Sequence, residues 1–134
     1  MRSIAFFVAL GVIGVLDAVW LGFAMTDFYK QQFSMLGCRA MTNLSDKWGA
    51  IIATYGMMAF GFALFVAPRC LPTTLGYNMV LGAAFGATLF GVYELTSYSV
   101  FSEWPLVLVW VDIAWGATMY ALVGAAMTGV LRLV

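Results

Sequence analysis

The sequence predicts an all-α fold, a four-transmembrane-helix bundle with a short amphipathic interfacial helix between helices 1 and 2. Three observations predict it. First, 64% of the 134 residues are hydrophobic and only 9% are charged, and the mean hydropathy is +0.99; a soluble domain carries roughly a quarter charged residues. Second, four segments reach the ~20 apolar residues that a helix needs to cross a bilayer. Third, no ten-residue alternation of inward and outward residues appears, which a membrane barrel would require.

The first span covers about residues 4–25. Its start, MRSIAFFVALGVIGVL, resembles a signal peptide, but the apolar run continues past Asp17 without a small-x-small cleavage site. A signal core is usually about 7–15 residues, so the segment reads as a retained helix. The connection over residues 26–48 sets Met25, Tyr29, Phe33, Leu36 and Ala40 on one stripe, with Lys30, Gln31 and Ser34 elsewhere. That spacing suits a short amphipathic helix on the membrane surface or over the mouth of the bundle; an ordinary polar loop is the alternative. The second span, 49–67, stops at Pro68 and Pro72, which bracket a turn at Arg69 and Cys70. The third, 75–98, is followed by a short loop over 99–104. Pro105 opens the fourth, 105–131, at a position where a missing N–H costs nothing. The chain, 1–134, thus reads as one integral membrane domain.

Four spans put both termini on one side. That side carries Arg2, Arg69 and Arg132, and the other carries Lys30, Arg39 and Lys47. The balance resembles that of dual-orientation proteins. The short segments holding the first set favour cytoplasmic termini in a bacterial inner (plasma) membrane. Small residues mark expected packing faces: Gly11, Gly14, Ala18 and Gly22 in the first helix; Gly82 and Gly86 beside Ala83 and Ala87 in the third; and Ala117, Ala121, Ala125 and Gly129 in the fourth. Such residues let helix backbones approach closely in lipid.

Three of the six acidic residues, Asp17, Glu94 and Asp112, lie inside spans. At 1.5 Å rise per residue all three fall in one leaflet, roughly 4–11 Å from the midplane. An acid at a helix centre costs about 2.5–3.5 kcal/mol on insertion scales, so these should point into the bundle. Candidate neighbours are Tyr55, Tyr93, Thr96, Ser97 and Tyr98, with Trp20 and Trp115 one turn from the two aspartates; Lys30, Arg39 or Lys47 could fold over the mouth. Two readings stand. The cluster is either a proton-, ion- or ligand-binding site or a hydrogen-bonded knot that fixes helix register.

Several function classes are excluded. Lys plus Arg and Asp plus Glu number six each, and no basic cluster is present to grip nucleic acid. Histidine is absent, which removes imidazole haem ligation, His-containing zinc sites and Ser–His or Cys–His nucleophiles. No cofactor and no resident metal is implied. Cys38 and Cys70 fall on opposite sides of the expected membrane and read as ordinary small apolar residues.

The strings LDAVWLG (16–22), YELTSYSVFSEWP (93–105) and VDIAWG (111–116) resemble a bacterial family of predicted four-span membrane proteins of unknown function, with approximate motifs LDxxWLG, YDLTN followed by WP, and DxxWG. The resemblance covers essentially the whole chain and implies that Asp17, Trp20, Thr96, Trp104, Pro105, Asp112, Trp115 and Gly116 occupy motif positions. Glu94 stands where the family has Asp, and Ser97 where it has Asn. It implies no activity. Three functions compete: first a proton- or cation-linked transporter or channel; then an accessory subunit of a homo-oligomer or larger membrane complex; last a lipid-acting membrane enzyme, for which no nucleophile motif is present.

Overall fold

A computed structural model describes residues 2–20, 48–102 and 104–133. Among them are four helices and no strand: α1 (Arg2–Val19), α2 (Trp48–Gly61), α3 (Leu75–Val100) and α4 (Leu106–Leu133). A π turn (Phe62–Val66) and a 3₁₀ turn (Ala67–Arg69) extend α2. The continuous segment Trp48–Arg69, α3 and α4 are each long and apolar enough to cross a membrane, and α1 is a shorter apolar helix. The end of the first expected span and the amphipathic connection, with Lys30, Arg39, Lys47 and Cys38, lie outside the described residues.

The π turn follows from Pro68. A proline ring clashes with the carbonyl four residues back and offers it no N–H, so the α-helical ladder cannot run through this position. The N–H of Ala67 bonds instead to the carbonyl of Phe62, five residues earlier. Most remaining carbonyls of the last turn find other donors. The Arg69 guanidinium bonds to Phe65 O, the Cys70 thiol reaches Val66 O at 3.6 Å, and the Cys70 N–H bonds to Ala67 O.

α3 and α4 form the tightest pair, antiparallel and packed backbone to backbone. A Cβ at Gly82 would fall on the carbonyl of Tyr120, one at Gly86 on the carbonyl of Gly116, and one at Gly124 on the carbonyl of Asn78. One turn along α3 therefore matches one turn along α4. On α3 this is the expected stripe. On α4 the contact lies one residue round from the expected one: Gly116, Tyr120 and Gly124 are buried, whereas Ala117, Ala121 and Ala125 are half-buried and Gly129 is exposed. Two glycines beat a run of alanines here because the carbonyls they meet leave no room for a methyl group.

α1 also departs from expectation. Its buried stripe is Ala5, Ala9, Ile13 and Asp17, four residues apart and so on one face. Gly11 and Ala18 are exposed, and an added Cβ at Gly11 or Gly14 would meet nothing within 4 Å. The face that carries the acid, rather than the glycines, turns inward because Asp17 has polar partners there. α1 packs against α2 and α4, and the core between them is built on Ile13, Phe62, Met119, Tyr120, Val123 and Met127.

At the end of the bundle remote from Asp17, a buried asparagine ties the α2–α3 turn down. Asn78 accepts from Leu71 N–H (2.8 Å) and donates to Leu71 O and Thr128 Oγ1, both at 2.7 Å. Arg132 Nε donates to Pro72 O at 2.9 Å.

Candidate functional site

Asp17 stands at a three-helix junction. Tyr55 of α2 donates its hydroxyl to Asp17 Oδ2 at 2.6 Å, and Trp115 of α4 donates its indole N–H to Oδ1 at 2.9 Å. Each carboxylate oxygen therefore has its own donor, and the side chain is only 9% exposed. Trp20, one turn on from Asp17, stacks on Trp115 with ring centroids 4.3 Å apart and planes 6° from parallel. The stacked indoles close this node with apolar faces while a polar edge reaches the acid. Tyr120, beneath it, bonds across to Met58 O of α2 at 3.0 Å.

Glu94 and Asp112 form a second node between α3 and α4. Glu94 is completely buried. Its Oε2 accepts the indole N–H of Trp104 at 2.8 Å, and its carboxyl lies within hydrogen-bonding reach of Asp112. Oε1 is enclosed with no N–H or O–H donor. Two ionised carboxylates present only acceptors to one another.

The acids expected in one cluster are thus divided two and one, and no group of three or more acidic or cysteine side chains that could hold a metal occurs among the described residues. The division arises because Asp17 lies on α1 and takes its donors from α2 and α4, while Glu94 faces the α3–α4 seam. Asp112 and Trp115, a turn apart on α4, belong to different nodes, which makes α4 the element common to both.

The candidate neighbours also divide. Tyr55, Trp20 and Trp115 gather at the Asp17 node. Ser97, three residues from Glu94 and on the same side of α3, is buried. Tyr93 and Thr96 lie on the outer face, Tyr93 60% exposed, because at 3.6 residues per turn they are displaced from the Glu94 direction. They line an open groove of about 640 Å³ with Thr88 and Val92. Tyr93 nevertheless meets the edge of the Trp104 ring, with centroids 6.3 Å apart.

Trp104 itself was not among the expected neighbours of Glu94, although the motif resemblance marked it. The signal was the Trp–Pro pair at the start of α4. Pro105 ends the turn, and a tryptophan just before it can reach back over the last turn of α3, where Phe101 stacks on it at 5.8 Å. Asn78 and Tyr120 were also missed; each is a polar group inside a long apolar run, the same signal that revealed the acids.

No curated protein and no solved structure matches the chain. The DUF2177 family, described as a predicted membrane protein, matches residues 2–130. With helices of spanning length and buried carboxylates at their packing faces, the chain belongs to this family of multi-pass membrane proteins of unknown function.

Proposed function

We propose that the protein is a small proton- or cation-linked membrane carrier or channel, with Asp17, Glu94 and Asp112 as its ion-handling groups and Trp20, Trp115, Tyr55, Tyr93, Thr96 and Ser97 as neighbours along the path. The observation that carries this reading is Glu94 Oε1, a carboxylate oxygen fully enclosed between two membrane helices without a donor. Ionisable groups held inside a bilayer at such cost ordinarily serve transfer of charge or substrate. The second acid node, one helical turn along α4, supplies a further station, and the Trp20–Trp115 stack lies beside it. Both termini face the cytoplasm of an inner membrane in this proposal.

Reconstitution into liposomes under a pH gradient, and separately under Na⁺ or K⁺ gradients, tests it. Asp17→Asn, Glu94→Gln and Asp112→Asn should each abolish flux while the protein stays folded. Flux equal to that of the unmodified protein in all three variants removes the proposal.

A second reading, an accessory subunit of a homo-oligomer or a larger membrane complex, is favoured by the side of α1 that carries Gly11 and Gly14, where an added Cβ would meet none of the described residues within 4 Å. Cross-linking in native membranes tests this reading. A chain that remains monomeric and brings down no other protein rules it out.

A further inference from the structure

We infer that the Glu94–Asp112 pair is a one-proton site, in which two carboxyl groups hold a single shared hydrogen and refuse a metal cation. This rests on the carrier reading for its place in the molecule and narrows the ion to H⁺.

Three observations point the same way. Glu94 Oε1 is buried, has no donor, and belongs to a side chain within hydrogen-bonding reach of Asp112. Carboxylate oxygens are acceptors only. With both groups ionised, the orphaned oxygen of the buried Glu94 stays unsatisfied and two like charges face one another. One proton removes both penalties, as in other carboxyl pairs that share a site.

The described side chain bonded to Glu94 is the wrong kind for a metal. Trp104 offers an indole N–H, which is a donor without acceptor capacity, and it already occupies Oε2 at 2.8 Å. A calcium ion takes six to eight oxygen ligands and magnesium a near-ideal octahedron. Asp17 stands in the other node, where it is bonded to Tyr55 and Trp115.

The charged surroundings are compatible with a proton. From α3, the Tyr93 ring meets the edge of Trp104. From α4 the facing acid is Asp112 itself, and among the described residues of the α3–α4 turn Trp104 is bonded to Glu94. On α1 and α2, Asp17 and Tyr55 are bonded to each other in the neighbouring node. Arg69 and Arg132 are anchored at the far end on Phe65 O and Pro72 O.

Infrared difference spectroscopy on the full chain, in nanodiscs of phosphatidylcholine and phosphatidylglycerol, reads the proton directly through the C=O stretch of a protonated carboxyl and its shift in D₂O. The unmodified protein should show this band at neutral pH. Glu94→Gln and Asp112→Asn should each lose it, since the amide N–H then takes the place of the shared hydrogen. Asp17→Asn should keep it. Addition of NaCl, MgCl₂ or CaCl₂ to the unmodified protein should leave the band in place, and this arm needs no variant to fold. Absence of the band in the folded protein overturns the inference, as does its discharge by any of the three salts. The same preparation in liposomes separates the two claims. A band without ion flux supports the proton site and removes the carrier, whereas flux without a band overturns the proton site alone.

Discussion

Replacing Gly86 by alanine tests whether the α3–α4 seam is held by backbone contact. An added Cβ would land on the Gly116 carbonyl and, at 2.8 Å, against the Tyr120 ring. An ordinary C···O approach is ~3.3–3.6 Å, so the helices must separate by about 1 Å or more around this point. A gap of 0.5–1 Å forfeits roughly a quarter to a half of each dispersion contact, and in lipid such contacts are what drive helix association. Overpacking of this kind costs about 1–3 kcal/mol. The better helix propensity of alanine returns up to ~1 kcal/mol. With the full propensity gain the net expectation is a loss of about 0–2 kcal/mol, and a deficit of about 1–3 kcal/mol against a control that gains the same propensity without overpacking. The control is Gly11→Ala, where none of the described residues lies within 4 Å of an added Cβ; it should be neutral or slightly stabilising. Reversible unfolding in mixed bicelles, read by tryptophan fluorescence, gives both values. Equal stability of the two variants would show that the seam tolerates a methyl group and that the close approach is not what holds α3 to α4.

The Asp17 node is testable by a double-mutant cycle. Tyr55→Phe and Trp115→Phe each remove one donor, and each should cost about 0.6 kcal/mol and at most ~1.7 kcal/mol, the average and maximum for hydrogen bonds measured between membrane helices; additive losses in the double variant would show that the two bonds do not share the carboxylate. Asn78→Leu keeps volume but strips three hydrogen bonds from the α2–α3 turn. It should cost about 1–3 kcal/mol through unsatisfied buried groups and expose the turn to protease in a limited-digestion assay. Burial pushes the Cys70 thiol above its ordinary range, so less of it is the reactive thiolate at a given pH. Alkylation by a small maleimide should therefore be slow at neutral pH in the folded protein, rising with pH and on unfolding; immediate labelling at neutral pH would contradict that burial.

The helices were legible because length and apolar composition decide them: the second, third and fourth spans lie within a few residues of their expected bounds, and Pro68, Pro72 and Pro105 punctuate them as proline chemistry requires. The α3 helix runs on to Val100, past the expected end at 98, since no proline or glycine stops it sooner. Helix faces were harder. The choice between Gly116/Gly124 and Ala117/Ala121/Ala125 turns on a rotation of one residue, about 100°, and both stripes are rich in small residues. Only the partner decides, and the partner's carbonyls are invisible in a linear pattern. The same holds for the acids. Their inward orientation follows from cost, but their grouping depends on which helix supplies each donor. Nothing in the spacing of Asp17, Asp112 and Trp115 foretells that the indole of α4 serves the carboxylate of α1 while Asp112, in its own helix, goes to Glu94.

That exchange has a consequence for how the protein is made. Asp17 and Trp115 are 98 positions apart, so a growing chain delivers its first acid to the translocon long before the indole that will bind it has been synthesised. Tyr55 arrives sooner and can hold the carboxylate during that interval. Biogenesis of this protein is therefore a waiting game, in which the earliest segment stays half-settled until the last one threads in beside it and locks the assembly.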